Sequence, residues 1–339
     1  MDFSSGGGEK RPDMTGQSPG TGPIVAGTSY PRSWYPFCRS IDVRPGRRRA
    51  VTALGLDWLV FRADDGSPGV LPLHCPHGGA NLELGTVCGD AVVCPMHGWR
   101  LNRDGKTGRK DAEGRDIASD GLPAVEYAGI LYAFWGGPPV FPFPKRWPED
   151  RLFSSRVRRY QFEAPHELGG INAFDVQHLG PVHRRRLVSA PEVDVQSDAH
   201  IAIRYRAAVE GNTWRDRWIR RSGLHTLDIE VHSHGGSLLI FEHRRAAVSA
   251  YIALQPRGDG TTRVFLSITR EKDPRRLRGW LQRPFHWIEN AFFRAFAAED
   301  LKVLHRARLI TDRWDPALDG PLIRWWSHYC ALPRRETAA

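Results

Sequence analysis

Long hydrophobic runs are missing from this sequence, and cysteine is scarce. None of its 339 residues belongs to an uninterrupted apolar stretch of about 18 residues, the length that suggests a membrane-spanning helix. No apolar segment follows the first charges at the N-terminus, so a secretory signal is not expected and we predict a cytoplasmic protein. Five cysteines in a chain of this length argue against a disulfide scaffold and favour metal or redox chemistry.

A dinucleotide fingerprint and a nucleic-acid-binding module are also absent. No G-x-G-x-x-G motif lies between a strand and a helix, so a flavin or nicotinamide domain of that type is not expected. The net charge of +10 is carried mostly by scattered arginines. The arginine runs 47–49 and 184–186 are interpreted as solvated loop charges, with a docking face for an acidic protein as the alternative. Nucleic acid is not an expected partner.

Composition divides the chain into three segments. Residues 1–28 are about half Gly, Ser and Pro, which is typical of a disordered tail. Residues 29–145 have short apolar runs between turn signals, which predicts a small all-β domain ending in a proline-rich linker. Residues 146–335 have longer alternating runs, at 200–210, 227–233, 237–243, 247–256 and 263–270, which predict the strands of an antiparallel sheet. A helix is then predicted to start at Asp273-Pro274. The length supports two domains.

Three of the five cysteines lie within residues 75–97, CPHGGANLELGTVCGDAVVCPMH. Within this segment, Cys75-Pro-His77 and Cys94-Pro-Met-His97 each bring one thiol and one imidazole to a short loop, with sixteen residues between the two groups. Two such loops can close around one inorganic centre.

Two kinds of centre fit this ligand set. Zinc accepts two thiolates and two imidazoles as a tetrahedron. A [2Fe-2S] cluster takes the thiolates on one iron and the imidazoles on the other, which is Rieske ligation. The neighbouring Gly78, Gly79 and Gly98 favour the cluster, because small residues allow backbone N–H groups to approach the sulfurs.

A second set of ligand-type residues lies within residues 169–183, GGINAFDVQHLGPVH. Asp175 and His178 are three residues apart and are predicted to share one face of a helix. Gly180-Pro181 would end that helix and allow the chain to return His183 to the same centre. A 2-His-1-carboxylate site for non-haem iron then needs one more carboxylate.

The predicted C-terminal helix offers that carboxylate. Its apolar stripe comprises Leu277, Leu281, Ile288, Phe292 and Phe296. Asp300 follows at the same interval of four residues, whereas Glu299 points about 100° away. An acid on an apolar face is costly to bury unless it binds a cation. The alternative is a frayed helix end with Asp300 exposed, and helical position alone leaves both open.

These motifs together resemble a known family. CPHGGANL followed by VCPMHGWRLNRDG resembles the Rieske domain of ring-hydroxylating-type Rieske non-haem iron oxygenases. The C-terminal EDLKVL and DGPLIRWWSHYC resemble the branch that contains 3-ketosteroid 9α-hydroxylase and cholesterol 7-desaturase. The resemblance extends over residues 30–335. It implies an α+β fold, in which a small all-β Rieske domain precedes a catalytic domain of antiparallel sheet packed by helices, a helix-grip or START-like fold.

The resemblance also implies roles for the site residues. The implied ligands of the [2Fe-2S] cluster are Cys75, His77, Cys94 and His97. The implied ligands of mononuclear Fe(II) are His178, His183 and Asp300. Asp175 would bridge His97 of one protomer and His178 of the next, which implies a ring, most simply a homotrimer. Asn172 matches a position near the iron.

The implied reaction is an O2-dependent oxidation of an apolar, polycyclic or steroid-like small molecule, by monooxygenation or desaturation. Electrons would come from NAD(P)H through a separate flavin reductase or ferredoxin. Three alternatives remain open: a Rieske-type electron carrier, a demethylase or natural-product tailoring oxygenase of the same family, and a zinc-stabilised binding protein.

Overall fold

The computed structural model of the chain describes residues 29–221, 223–243, 247–272 and 276–336, and the side chains of 276–289 and 336 are not described. Two expectations therefore lie outside the described residues: the disordered tail at 1–28 and the helix start at Asp273-Pro274. The same holds for three side chains of the predicted apolar stripe, Leu277, Leu281 and Ile288.

Short antiparallel strands make up the first part of the chain. In chain order they are β1 (Ser29–Pro31), β2 (Ser33–Arg39), β3 (Arg48–Ala53), β4 (Leu56–Arg62), β5 (Pro68–Pro72), β6 (Thr86–Cys88), β7 (Ala91–Val93), β8 (Arg100–Asn102), β9 (Lys106–Lys110), β10 (Asp116–Ala118), β11 (Ala124–Tyr127) and β12 (Ile130–Trp135). They form three-stranded sheets in the orders β11-β12-β2, β3-β4-β5 and β6-β7-β8, together with the hairpin β9-β10.

The second part contains a nine-stranded antiparallel sheet. Its strands are β13 (Leu152–Ser154), β14 (Arg158–Phe162), β15 (Arg185–Leu187), β16 (Glu192–Ser197), β17 (His200–Val209), β18 (Thr226–His234), β19 (Leu238–His243), β20 (Val248–Pro256) and β21 (Thr262–Glu271). The order is β13-β21-β20-β19-β18-β17-β15, with β14 also paired to β21 and β16 to β17. A last strand, β22 (Arg334–Glu336), pairs with β1 and joins the two ends of the described chain.

Helices cover one face of this sheet. They are α1 (Glu167–Phe174), α2 (Trp214–Arg221), α3 (Arg276–Leu304) and α4 (Gly320–Ala331). Four 3₁₀ turns complete the elements: Ser40–Asp42, Leu82–Leu84, Glu149–Arg151 and Gln177–Leu179.

Strand alternation explains why the large sheet forms the middle layer. Successive side chains of a strand point to opposite faces. In β19, Leu238 and Ile240 pack with Trp34 and Phe134 of the first part, whereas Leu239 packs in the cluster that contains the α1 and α4 side chains. The central part of the sheet is therefore buried on both faces and positions the helices relative to the first part.

Buried hydrogen bonds join the two parts of the chain. The Gln255 Nε2 amide donates to the carbonyl of Pro36 at 2.7 Å, and the hydroxyls of Ser33 and Ser237 lie 2.8 Å apart. All of these side chains are fully buried. Because a buried polar group without a partner is costly, these contacts favour one relative orientation of the two parts.

A close helix crossing positions the start of the second site. Gly170 of α1 faces Trp325 of α4, and a Cβ at Gly170 would lie 1.9 Å from the Trp325 ring. Only glycine allows this approach. The indole N–H of Trp325 donates to the hydroxyl of Ser233 at 3.0 Å, which ties α4 to β18.

The predicted α+β class is confirmed. The alternating run predicted at 200–210 is β17 (His200–Val209), and the other four predicted strands of the second part are β18 to β21. The stretch between Trp135 and Glu149, where the proline-rich linker was predicted, contains no helix or strand; the domain boundary at 145 stays a prediction. In the described part of the chain, no helix has the length and apolarity to cross a membrane.

Two candidate metal centres

The two Cys/His loops are built alike. In each, the cysteine N–H donates to the carbonyl five residues later, at 2.9 Å for Cys75 and 2.8 Å for Cys94. The glycine four residues after each cysteine, Gly79 or Gly98, donates to the cysteine carbonyl and has a φ of +71° or +70°. The left-handed conformation favours glycine at these positions. Both loops therefore present their side chains in the same way.

The thiols and the imidazoles of these loops differ in solvent exposure. The Cys75 and Cys94 side chains are buried, with 3% of each residue exposed, whereas His77 and His97 are exposed. The two imidazole rings lie beside each other, with their centroids 4.7 Å apart, and His77 stacks on Trp99 at 3.9 Å. The ligands thus form a buried sulfur pair and a surface nitrogen pair.

Backbone N–H groups point at the sulfurs. Burial raises the pKa of Cys75, and the N–H of His77 acts in the opposite direction. Burial would also raise the pKa of Cys94, but hydrogen bonds from the N–H groups of Met96 and His97 hold it below its ordinary value. Such donors stabilise a thiolate, which is the form that binds metal.

This geometry discriminates between the two centres considered for these loops. Zinc would need all four ligand atoms around one point. Within the described residues, three or more His, Cys, Asp or Glu ligands converge on one point only at His178, His183 and Asp300. Separate pairs of thiols and imidazoles fit a [2Fe-2S] cluster, whose two irons take different ligands.

The second centre is built differently from the sequence expectation. A helix carrying both Asp175 and His178 was expected, but α1 ends at Phe174 and Asp175 has an extended conformation. The Asp175 carboxylate accepts the N–H of Gln177 at 2.8 Å, and this local bond competes with helix continuation. His178 therefore lies on the 3₁₀ turn Gln177–Leu179.

Both histidines direct the same ring nitrogen toward Asp300. His178 Nδ1 contacts the backbone carbonyl of Asp175, and His178 Nε2 lies 3.6 Å from Asp300 Oδ1. His183 Nε2 lies 2.7 Å from the same oxygen. A ligand histidine commonly donates its other N–H to an acceptor, and this fixes its tautomer. Burial lowers the pKa of His178, which favours the neutral, metal-binding form.

The end of α3 completes the group. Asp300 is half-buried, and one ligand atom from each of Asp300, His178 and His183 lies within 4.8 Å of the other two. Phe296, one turn earlier, stacks on the His183 imidazole with ring centroids 3.4 Å apart. The stripe from Phe296 to Asp300 therefore faces inward and aligns the aspartate with both imidazoles.

Glu299 was missed as a functional residue, although its position was noted. Its carboxylate lies 3.0 Å from His183 Nδ1 and 2.9 Å from an Arg215 nitrogen. Burial would raise the pKa of Glu299, but these two hydrogen bonds hold it below its ordinary value. Glu299 thus orients His183 from the side opposite Asp300. Nothing in the sequence indicated that Arg215, on another helix, would reach it.

An apolar cavity adjoins Asp300 of the candidate ligand group. Its volume is about 430 Å³, and Asp300 forms part of its wall. The remaining lining is mainly aliphatic and aromatic and includes Leu179, Tyr205, Trp214, Trp218, Phe241, Phe292 and Phe296. Such a cavity accepts an apolar ligand next to the candidate metal position.

The remaining predicted site residues lie around this group. Asp175 Oδ2 is 3.9 Å from His178 Nδ1, and 31% of the Asp175 side chain is exposed. An open depression of about 920 Å³ begins next to it and is lined by Val176 and Gln177, among others. Asn172 is half-buried in α1, and no hydrogen bond joins its described side chain to the three candidate ligands.

Comparison with known proteins identifies the first part of the chain. Residues 33–124 match the Rieske [2Fe-2S] domain family. Cholesterol 7-desaturase of Bombyx mori is 33% identical over 171 residues, which are 47% of this chain and 37% of that protein. The oxygenase component of 3-ketosteroid-9-alpha-monooxygenase of Rhodococcus rhodochrous is 35% identical over 98 residues, 29% of this chain and 25% of that protein. The chain thus matches well under half the length of these relatives.

Structural similarity extends over nearly the whole described chain. The terminal oxygenase of carbazole 1,9a-dioxygenase from Nocardioides aromaticivorans superimposes with a TM-score of 0.64 at 17% identity, covering 89% of this chain and 94% of that one. The described chain therefore shares its fold with this terminal oxygenase.

The chain carries a Rieske [2Fe-2S] domain joined to an oxygenase-type α+β fold. The resemblance to Rieske non-haem iron oxygenases, including the relatives that act on cholesterol and 3-ketosteroids, is confirmed.

Proposed function

We propose that this chain is the oxygenase component of a Rieske non-haem iron system that oxidises an apolar, polycyclic or steroid-like small molecule with O2. Cys75, His77, Cys94 and His97 would hold the cluster. His178, His183 and Asp300 would hold Fe(II). The reaction would be a monooxygenation or a desaturation, with electrons from NAD(P)H delivered by a separate reductase or ferredoxin.

The contact between the apolar cavity and the His/His/Asp group carries this proposal. A carrier of electrons needs neither a second metal group nor a ligand cavity, and this chain has both among its described residues. His178, His183 and Asp300 are the donor set that would hold Fe(II) beside a bound substrate. Iron bound there would supply the reductive activation of O2.

The chain's own residues orient the substrate and the ligands. Phe292, Phe296 and Trp218 line the cavity and exclude water from the metal position. Contacts of Asp175 and Glu299 with the two Nδ1 atoms leave each Nε2 free to bind iron. These contacts keep the ligand set in place before any substrate arrives.

Asp175 is the proposed electron bridge between protomers. Its carboxylate lies beside His178 and is partly exposed next to the open depression, which offers room for the Cys/His loops of a neighbouring protomer. The exposed pair His77 and His97 would enter from that neighbour. This arrangement supports a homotrimeric ring.

The apolar cavity and the relatives support a steroid-like substrate. Protein cavities of several hundred Å³ commonly enclose drug-sized small molecules, the size class of a steroid. The lining of the cavity next to Asp300 is mainly aliphatic and aromatic. Two relatives are named for cholesterol and 3-ketosteroid chemistry. A demethylase or tailoring oxygenase would use the same metal centres on another apolar substrate.

Metal analysis with EPR tests this proposal. The purified chain should be brown and hold about three irons per protomer, two in the cluster and one mononuclear. The dithionite-reduced protein should give a Rieske spectrum. His183→Ala should lose only the mononuclear iron, with the cluster spectrum unchanged. A colourless protein with zinc, or iron in the cluster alone, would contradict the proposal.

A further inference from the structure

Helix α2 is held over the cavity by two ion pairs. Asp216 pairs with Arg185 at 2.7 Å, with 5% of each side chain exposed, and Arg215 pairs with Glu299. Thr213 caps the helix: its hydroxyl and N–H both bond Asp216 Oδ2, at 2.6 and 3.0 Å. The inward side of α2 is therefore fixed.

The outward side of α2 consists of tryptophan and arginine. Residues 214, 217, 218 and 221 follow the i, i+3, i+4, i+7 pattern of one helical face. Trp214 is 64% exposed and Trp218 43% exposed, and Arg217 and Arg221 are exposed. Asp216, the acid of this helix, is buried.

This face has the composition of a membrane-surface contact. Tryptophan partitions to the headgroup region of a bilayer, and arginine is attracted to anionic lipids. The Arg217 guanidinium donates one hydrogen bond to the backbone carbonyl of Asn212 at 3.0 Å. Neither Arg217 nor Arg221 forms an ion pair within the part of the chain that the structure describes, so both positive charges lie without an acidic partner there. Trp214 and Trp218 are also the exposed aromatic side chains in that part of the chain.

The cavity lies next to the same face. Trp214 and Trp218 line it, so a ligand entering past α2 comes from whatever medium contacts these two side chains. Apolar molecules concentrate in lipid rather than in water. We propose that the face formed by Trp214, Arg217, Trp218 and Arg221 docks on an anionic lipid surface and takes up an apolar ligand there. The uptake rests on the proposed function, whereas the docking does not.

Vesicle sedimentation tests the docking. The full chain is mixed with phosphatidylcholine vesicles and with vesicles of equimolar phosphatidylcholine and phosphatidylserine. It should sediment with the anionic vesicles, and less so at high salt. Trp214→Ala with Trp218→Ala should weaken this binding by about tenfold. Arg217→Gln with Arg221→Gln should weaken it by about tenfold or more and remove the preference for phosphatidylserine.

Two matched double variants remove the same number of charges or of apolar side chains at positions outside α2. Arg44→Gln with Arg47→Gln removes two exposed arginines of the first part, and Ile310→Ala with Leu318→Ala removes two exposed apolar side chains. Both should bind vesicles as the unmodified chain does. An unmodified chain that stays in the supernatant with both vesicles overturns the proposal. Normal vesicle binding by the Trp214→Ala, Trp218→Ala variant also overturns it. The same holds if the two tryptophans prove necessary only for self-association of the chain and not for vesicle binding.

Separate measurements test the docking and the proposed function, so either proposal can be contradicted without the other. The visible spectrum of the cluster and the melting temperature show whether each variant is folded, and mononuclear iron content reports on the second centre. Vesicle binding without mononuclear iron would support the docking and contradict the proposed function. Mononuclear iron and a Rieske spectrum without vesicle binding would support the proposed function and contradict the docking.

Discussion

At the scale of single residues, the candidate iron site depends on contacts behind its ligands. His183 is fully buried as a side chain and lies between Asp300 on one ring nitrogen and Glu299 on the other. A carboxylate behind a ligand histidine fixes its orientation and increases its basicity. Glu299 is in turn held by Arg215, so the histidine is supported by a chain of charges that ends on α2.

Glu299→Ala should weaken mononuclear iron binding by about tenfold to a hundredfold, because His183 loses its Nδ1 acceptor. Titration of the iron-depleted chain with Fe(II) measures this change. Glu299→Gln should have a smaller effect, since the amide oxygen still accepts a hydrogen bond. The cluster spectrum and the melting temperature serve as controls. Equal iron affinity in all three proteins would show that Glu299 has no positioning role.

At the scale of elements, the antiparallel strand pair β17–β18 carries a histidine cluster remote in sequence from both candidate metal sites. His200 Nε2 and His232 Nδ1 are 3.0 Å apart, and the His200 and His234 rings stack at 3.9 Å. Burial lowers the pKa of His234 to about 2 and that of His200 to about 4. The folded strand pair therefore contains neutral imidazoles.

This cluster should make stability depend on pH. The unfolded chain binds protons on these imidazoles below their ordinary pKa of about 6.5, whereas folded His234 does not, so stability is full above that pH and decreases below it. Between pH 8 and pH 5 the unmodified chain should lose about 1 to 2 kcal/mol more unfolding free energy than His234→Phe, which keeps the ring stack. Denaturant unfolding at both pH values measures this.

A control histidine lies just before the start of β18, at the other end of the strand pair. His225 is exposed, and His225→Gln should leave the pH dependence of the unmodified chain unchanged. If His234→Phe loses as much stability on acidification as the unmodified chain, the histidine cluster does not control the acid response.

At the scale of the whole molecule, the two centres lie in different layers of the chain. The Cys/His loops project from the small sheets of the first part, and the His/His/Asp group lies among helices on the far side of the nine-stranded sheet. Buried hydrogen bonds between the parts favour this separation. The proposed electron path therefore runs between protomers, from the exposed His97 of one to Asp175 of the next.

Mixed assemblies test this path. Cys75→Ser should lose the cluster and keep the iron site, and His183→Ala should lose the iron and keep the cluster. Each variant alone should be inactive. Coexpressed, they should recover part of the turnover, because an intact cluster in one protomer can supply an intact iron site in the next. Absence of recovery in isolated mixed oligomers would place the electron path within one chain.

Local patterns in the sequence were sufficient for several features. The spacing of Cys75, His77, Cys94 and His97 indicated one inorganic centre, since ligands on two short loops need little help from the rest of the fold. Alternation predicted β17 to β21, because each strand is long and apolar on at least one face. Helical periodicity aligned Asp300 with the apolar stripe but left a frayed, exposed helix end open, and the stacking of Phe296 on His183 decided between the two.

Only the tertiary structure decided the contacts made by residues far apart in sequence. The burial of the thiols and the exposure of the imidazoles favoured a [2Fe-2S] cluster over zinc. Burial depends on how the chain packs and not on the spacing of the ligands in the sequence. The Asp175 turn replaced the expected helix because one side-chain hydrogen bond outcompeted the next helical turn. Arg215, Glu299 and His183 contact one another because α2, α3 and the turn that carries His183 pack together. No local sequence pattern encodes a contact between such distant residues.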